Sequence, residues 1–246
     1  MRYLASCSFG KDSVATVITA MLHNEPLHEL VYCEVMFDDN GTSAEIPEHA
    51  AFIHDVAIPE FRGWGIKTNI IRSDKNFLER FNHTIGGDGP HRGKCWAWPL
   101  CGRCYVQRDL KVRPIQRWKR TLGDDVIQYI GIEADEQERL LRLDGVKHIS
   151  LLQKYGVTRD KVFDLCTSYG LLSPTYAFTD RGGCFFCPNA KEEELKHLYQ
   201  HHPDLWLSLM LLQATPNKST ERWNRRETFF EVNERIKRSL TNQEDT

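Results

Sequence analysis

Along the first half of the chain, short apolar runs alternate with stretches of helical period. Tyr3 to Ser8 is apolar and bounded by Gly10, as a buried strand requires, and Asp12 to His23 then sets Val14, Val17, Ile18, Met21 and Leu22 on one helical face. Leu30 to Phe37 is a second apolar run, closed by the turn cluster Asp38-Asp39-Asn40-Gly41. Pro47 opens a helix predicted to reach Trp64, with Pro59 expected to interrupt it. Ile66 to Ile71 and Val126 to Ile132 read as the third and fourth strands. Strands alternating with helices predict an α/β fold with a parallel sheet covered on both faces. Ligands of such sheets sit beyond the carboxyl ends of the strands.

The periodicity breaks between about Asn82 and Leu122, where Gly86, Gly87, Gly89, Pro90, Gly93 and Pro99 accompany three cysteines and three tryptophans. Disordered segments are poor in Trp and Cys, so this stretch reads as an ordered, cysteine-rich insertion. Helical spacing returns from Lys191, with Leu195, Leu198, Leu205, Leu209 and Leu212 in one apolar stripe and a break at Pro203. A last amphipathic helix is predicted from Ser219 to Leu240, with Thr241 to Thr246 frayed. The expected organisation is an α/β domain over 1–188, its insertion at about 82–122, and a C-terminal helical extension over 189–246. No internal repeat is visible.

Composition narrows the function classes. A chain of 246 residues with 41% hydrophobic and 27% charged residues can bury a sizeable core. A formal net charge of −2 gives no general attraction to nucleic acid, so binding there needs a local basic patch. No apolar run has the length of a membrane span and no signal-peptide pattern follows Met1, so no membrane partner and a cytoplasmic location are expected. In a reducing compartment the eight cysteines read as metal ligands, catalytic groups or buried apolar residues rather than disulfides.

The strongest local signal is Ser8-Phe9-Gly10-Lys11-Asp12-Ser13, placed between the first strand and the first helix. Backbone N–H groups and the positive end of the helix dipole make such a place an anion site. Gly10 admits a phosphate to the backbone, Lys11 adds a full charge, and the Ser8 and Ser13 hydroxyls can donate. The alternative is an ordinary turn in which Ser or Asp caps a helix. The segment lacks the Walker A pattern. It resembles the PP-loop, S-x-G-K-D-S, of the N-type ATP pyrophosphatases and their phosphoadenylyl-sulfate (PAPS) reductase relatives. Three further segments resemble that family in order: Asp39-Asn40-Gly41 with Ile46-Pro47-Glu48, Lys111-Val112-Arg113-Pro114-Ile115, and Gly131-Ile132-Glu133-Ala134-Asp135-Glu136-Gln137-Glu138-Arg139. The resemblance covers roughly Met1 to Pro188 and implies a Rossmann-like, adenine nucleotide alpha hydrolase-like fold that binds ATP with Mg2+. It implies nucleotide contacts from Ser8, Phe9, Gly10, Lys11, Asp12, Ser13, Asp39, Lys111, Gly131, Glu136 and Arg139, with Lys11, Asp12, Asp39 and Arg139 serving catalysis. Asp39 and Asp12 are candidate Mg2+ ligands. Glu133 and Gln137 depart from the family pattern, which often has Arg and Ser there. That reverses a charge near the expected phosphates.

Cys101-x-x-Cys104 and Cys184-x-x-Cys187 are two ligand-spaced pairs, and four thiolates suit either zinc or a 4Fe–4S cluster. Spacing does not choose between the two. The run Arg181-Gly182-Gly183-Cys184-Phe185-Phe186-Cys187-Pro188 resembles the sulfur-inserting enzymes of DNA phosphorothioation, and assimilatory adenylyl-sulfate reductases also join two separated cysteine pairs around a 4Fe–4S cluster. Both resemblances favour that cluster, with Phe185, Phe186, Trp96 and Trp98 as shields and Arg103 and Arg181 as counter-charges. Cys7, Cys33 and Cys166 read as buried apolar residues; Cys95 is either a spare thiol or without function.

Three functions fit. In the first, ATP is cleaved to AMP and pyrophosphate through adenylylation, in sulfur transfer to a nucleic acid or small molecule, with a sulfur-donor protein as partner. In the second, the chain is an adenylyl-sulfate or PAPS reductase; no cysteine follows Cys187 to act as the tail nucleophile of those enzymes, and the loop keeps Lys11-Asp12-Ser13 as the pyrophosphatases do. The third is a non-catalytic nucleotide- or nucleic-acid-binding module with structural zinc. The basic stretch Arg103, Arg108, Lys111, Arg113, Arg117, Lys119 and Arg120 favours a nucleic-acid acceptor, against the alternative of a solvated helix face. Arg222, Arg225, Arg226, Arg235, Lys237 and Arg238 read as a surface helix, and His197 with His201 as a solvated face.

Overall fold

The computed structural model describes residues 1–99 and 104–244. In chain order, β1 (Arg2–Ser6) leads into α1 (Lys11–Leu22), β2 (Glu29–Glu34) and α2 (Pro47–Ala51). A π-helical stretch, Phe52–Ala57, joins α2 to α3 (Ile58–Gly63), and β3 (Lys67–Arg72) and α4 (Phe77–Phe81) follow. A second π-helical stretch, Val106–Val112, continues into α5 (Arg113–Arg120), then come β4 (Val126–Tyr129), α6 (Gln137–Leu140), β5 (His148–Ile149), α7 (Leu151–Lys154) and α8 (Arg159–Ser168). Three longer helices end the chain: α9 (Glu192–His201), α10 (Pro203–Ala214) and α11 (Phe229–Glu244).

Contacts divide these elements into two units built from interleaved segments. The first comprises Met1–Glu34, Pro47–Arg72 and Arg113–Tyr176; the second comprises Val35–Ile46, Ser73–Val112 and Ala177–Thr246. The units are therefore not consecutive stretches of chain.

The first unit holds a five-stranded, all-parallel sheet of order β3-β2-β1-β4-β5. Its central strands are apolar on both sides, because each face is covered by helices. Ala5, Leu30 and Tyr32 pack with Val14, Val17, Ile18, Phe61, Leu152 and Val162, so α1, α3, α7 and α8 lie on one face. Leu4, Val31 and Val126 point the other way, onto Ile115 and Trp118 of α5. This is the alternation that a parallel strand buried on both faces requires. One charge is buried at the end of β2: Glu34 accepts from His54 Nε2 at 2.9 Å and from Arg72 at 2.7 and 2.9 Å.

Pro59 does not end the helix that Pro47 opens. A proline in a regular helix removes one hydrogen bond and drives its ring into the carbonyl four residues back. Here the preceding turn is widened, with the Ile58 amide donating to the Ile53 carbonyl, and Pro59 falls in the first turn of α3. The widened turn accommodates the ring.

The second unit has an aromatic core. Phe77 is fully buried and stacks on Phe186 at 3.7 Å between centroids, with Phe37, Phe81 and Tyr105 around them. Leu195, Leu198, Leu205, Leu209 and Leu212 are all buried against this core. The buried indoles have partners: Trp98 donates to Gln213, Trp206 to Asn233 and Trp223 to the Phe186 carbonyl, as indoles at such depth require. The last helix begins at Phe229 rather than Ser219, because Thr228 and Glu231 form a reciprocal cap. The Thr228 amide donates to the Glu231 carboxylate at 2.7 Å and the Glu231 amide to the Thr228 hydroxyl at 3.3 Å. That helix continues to Glu244, through residues expected to fray.

Truncating Phe77 to Ala removes both the stack on Phe186 and the edge contact to Phe81. We expect Phe77→Ala to lower unfolding stability by about 3–5 kcal/mol, read as a fall in denaturant midpoint at unchanged slope.

Candidate functional site

In a parallel sheet of this order the chain leaves β1 toward β2 on one side and returns at β4 on the other. The loops that follow β1 and β4 therefore open a crevice at the carboxyl ends of adjacent strands, the place where such folds bind ligands. The six-residue segment Ser8 to Ser13 lies there, running onto the first turn of α1.

Phe9 adopts a left-handed backbone, with φ 58°. It is tolerated because its ring is buried, edge-on to Tyr32 at 5.2 Å and stacked on Phe61 at 5.9 Å. Phe9 thus anchors the loop through its buried ring. Gly10 is the N-cap of α1 in an extended conformation, and no side chain caps the helix. The alternative in which Ser or Asp caps this turn is therefore not what the chain adopts. The Lys11 amide donates to the Tyr176 hydroxyl at 2.9 Å. Ser13 turns inward, donating to the Gly10 carbonyl at 2.9 Å and accepting from the buried Cys7 thiol. The Ser8 carbonyl lies 3.3 Å from His49 Nε2, and His49 Nδ1 lies 2.9 Å from the Ser173 hydroxyl.

The Lys11 side chain is only 4% exposed as a residue, as is Glu133. Its ammonium is bound by Asp12 at 2.5 Å and by Glu133, with the Phe163 ring 5.3 Å away. Burial works against the Lys11 charge, but the hydrogen bonds to Asp12 and Glu133 outweigh it and hold the ammonium above its ordinary range. Burial pushes the Glu133 carboxyl up, and the neighbouring Asp12 adds to that, while the bond from Lys11 opposes it. Gly131 makes this arrangement possible. A Cβ there would stand 2.8 Å from the Asp12 carbonyl carbon and oxygen and 2.9 Å from the Ser13 amide nitrogen. Only a residue without a side chain lets the loop after β4 lie against the first turn of α1.

The other expected nucleotide contacts are placed as follows. Arg139, half-exposed on α6, makes a two-pronged bond to Glu136 at 2.6 and 2.7 Å, and Glu136 also accepts from the Glu133 amide. Asp39 and Lys111 belong to the second unit. Asp39 accepts from Asn76 Nδ2 at 2.7 Å, and Lys111 pairs with Glu45 at 3.5 Å.

Cys104, Cys184 and Cys187 come together in the second unit, within electrostatic reach of one another, of Glu45 and of Lys111. Cys101 and Arg103 lie outside the described residues. Cys184 pairs its backbone with Glu45, and the Cys187 amide closes a tight turn onto the Cys184 carbonyl at 2.9 Å. Burial raises the thiols of Cys104 and Cys184, with Lys111 pulling the other way. Arg181 bonds Glu194 at 3.3 Å and lies against Cys187, which raises the guanidinium against the cost of its burial. Its Nη2 is buried without a hydrogen-bond partner among the described residues. Three thiols beside a lysine and an incompletely satisfied guanidinium form a donor set suited to an anionic metal–thiolate group. Phe185 and Phe186 are buried there, as a shielding role needs. Cys7, Cys33 and Cys166 are buried in the first unit, and burial holds the first at about 11 and the last at about 12. Cys166 donates to the Lys11 carbonyl at 3.3 Å.

Sequence reasoning did not single out Tyr176, His49 or Phe163. No motif marks them; they reach the loop only through the fold. Glu133 was visible as a departure from the family pattern, and its charge is the signal that identifies it as the Lys11 partner. Neither a family model nor a curated protein matches the chain.

Gly131→Ala forces backbone against backbone, where no flexible side chain can yield. The substitution is expected to cost about 1–3 kcal/mol of stability and to expose the first turn of α1 to faster amide hydrogen exchange. Wild-type exchange at Asp12 and Ser13 would show that the two loops do not depend on this contact.

Proposed function

We propose that the chain is a PP-loop ATP pyrophosphatase of the PAPS reductase family, with a Rossmann-like, adenine nucleotide alpha hydrolase-like first unit. It cleaves ATP to AMP and pyrophosphate through adenylylation, in sulfur transfer to a nucleic acid. The observation that carries this reading is the placement of Ser8 to Ser13 on the N-terminus of the twelve-residue α1, in the crevice between β1 and β4. The four-motif resemblance adds the nucleotide and the reaction.

In that reaction an acceptor oxygen attacks the α-phosphorus of ATP and the bond to the bridging oxygen breaks. Pyrophosphate leaves with the electron pair. A sulfur nucleophile then displaces AMP from the activated acceptor. Lys11 neutralises charge growing on the pyrophosphate, and the positive end of the α1 dipole favours its oxygens. Tyr176 and Phe9 hold the loop in shape, so that little reorganisation is needed as charge develops. Asp12 and Glu133 are the carboxylates that would hold Mg2+, which would supply positive charge to the phosphates. Arg139 is half-exposed, so its guanidinium can exchange Glu136 for phosphate.

Cys104, Cys184 and Cys187, with Cys101, would hold the 4Fe–4S cluster, which supplies electron transfer and sulfur affinity. Lys111 and Arg181 offset its negative charge. We therefore assign Lys111 to the cysteine group rather than to the nucleotide.

Calorimetric titration of the anaerobically purified protein with ATP, adenylyl sulfate and PAPS tests the nucleotide. ATP with magnesium is expected to bind, and Lys11→Ala to weaken it about 10- to 100-fold, the worth of a charged hydrogen bond. Preference for a sulfonucleotide would overturn adenylylation in favour of the reductase. The metal is tested separately. Cys184→Ser is expected to abolish bound iron and visible absorption while leaving ATP affinity unchanged; stoichiometric zinc in the wild-type protein would replace the cluster by a structural site.

A further inference from the structure

We propose that an aromatic cleft in the second unit binds a single unpaired nucleobase, the acceptor strand presenting one base out of its stack. The inference rests on the nucleic-acid acceptor proposed above and specifies how that acceptor is gripped. The cleft has a volume of about 410 Å³, and its walls include Trp96, Trp98, Tyr105, Arg108, Ser219 and Thr220. A space of this size suits a small planar group.

The walls present ring surface rather than unmet polar atoms. Trp98 Nε1 is spent on Gln213, the Tyr105 hydroxyl on the Ala97 carbonyl at 2.7 Å, and the Ser219 hydroxyl on the Trp96 carbonyl at 2.6 Å. Tyr105 meets the Trp96 ring edge-on at 5.2 Å. Two guanidinium groups lie over the same indole, Arg80 at 4.2 Å and Arg108 at 5.8 Å. Both are held by Asp109, Arg80 at 2.6 Å and Arg108 at 2.7 and 2.8 Å, and the Arg108 side chain is 55% exposed. An indole backed by cations, with an exposed guanidinium at the rim, is the combination that stacks a base and reaches its edge or its phosphate. An aliphatic ligand would gain nothing from the arginines, and an isolated anion nothing from the rings.

The cleft is also preorganised. Residues 85–95 turn back on themselves through Ile85 to Lys94 and Gly93 to Ile85 backbone bonds. The turn is then pinned to 217–219 by Cys95 to Asn217 and Ser219 to Cys95 bonds. Between the two tryptophans, Ala97 is held in a left-handed conformation, φ 60°, with its amide N–H donating a hydrogen bond to the Phe81 carbonyl at 2.9 Å. A strained non-glycine residue, fully buried, persists where the surrounding structure insists on one orientation of its neighbours. Here those neighbours are the two indoles of the wall. Bases paired in a duplex cannot enter such a space, so the site distinguishes single strands, bulges and flipped bases from a closed helix.

Fluorescence anisotropy of a labelled single-stranded oligonucleotide on the full chain, without ATP, is the direct test. A closed duplex of the same sequence and free AMP serve as comparison and competitor. The single strand is expected to bind more tightly than the duplex. Trp96→Ala should weaken it about 10- to 100-fold, as removal of one stacking partner does, and Trp96→Phe should restore most of the loss. Arg108→Ala should reduce the salt dependence of binding. An unchanged denaturation midpoint for Trp96→Phe and Arg108→Ala separates loss of contact from loss of fold. Wild-type affinity in all three variants, or equal affinity for the duplex, would overturn the proposal; so would AMP binding in the cleft with no strand binding, which assigns it to a free nucleotide. Strand binding without any ATP binding would instead sink adenylylation and leave this site standing.

Discussion

The first unit depends on the burial of one ammonium between two carboxylates. Lys11 leaves the first turn of α1, Asp12 follows it, and Glu133 comes from the loop beyond β4. Lys11 and Glu133 are both buried, and an unpaired buried ion costs several kcal/mol, so each needs the other; the partly exposed Asp12 adds a second carboxylate. Together they tie the two loops on either side of the reversal in strand order. The tie needs close backbone approach, and Gly131 provides it by having no side chain to place against Asp12. The amide and carbonyl of Lys11 are fixed as well, by the Tyr176 hydroxyl and the Cys166 thiol. A residue expected to reach freely for phosphate is thus held at its backbone and at its charged end.

The same interaction sets a condition on any polyphosphate ligand. One positive and two negative groups leave the loop with a net negative side-chain charge, against which a bare triphosphate would be repelled. The rise in the Glu133 carboxyl shows the strain of this grouping, since burial and the nearby Asp12 both favour its neutral form. A triphosphate accompanied by a divalent cation brings the charge that the carboxylates lack. In the proposed function, Glu133 would therefore make nucleotide binding depend on that cation.

Much of the sheet was legible because strands buried on both faces read as unbroken apolar runs. Tyr3 to Ser8, Leu30 to Phe37 and Ile66 to Ile71 each fall within two or three residues of the observed β1, β2 and β3. The boundaries that moved had local causes. Pro59 is absorbed by a widened turn, which apolar spacing does not reveal. The start of α11 is fixed by Thr228 and Glu231, a capping pair that the charged, amphipathic look of 219–228 conceals. Site residues divide along a similar line. Ser8 to Ser13 announces itself because six neighbours in sequence are neighbours in space. Tyr176 and His49 join it across 165 and 41 positions, and no local pattern carries that information.

Lys111 shows what motif order does not carry. Its place in an ordered set of segments that resemble a nucleotide-binding family implied phosphate; its ammonium stands beside Glu45 and within reach of two thiols. A lysine is a point charge on a flexible stem, so its partner is decided by which anion the fold brings near, not by its rank along the chain. Cys104, Cys184 and Cys187 gather deprotonatable sulfur at that point, Glu45 adds a carboxylate, and Arg181 approaches with one nitrogen unsatisfied. Ligation of the proposed metal group would convert thiols to thiolates and raise the negative charge there. Lys111 and Arg181 would then be the groups that make that charge tolerable in a core otherwise built of aromatic rings.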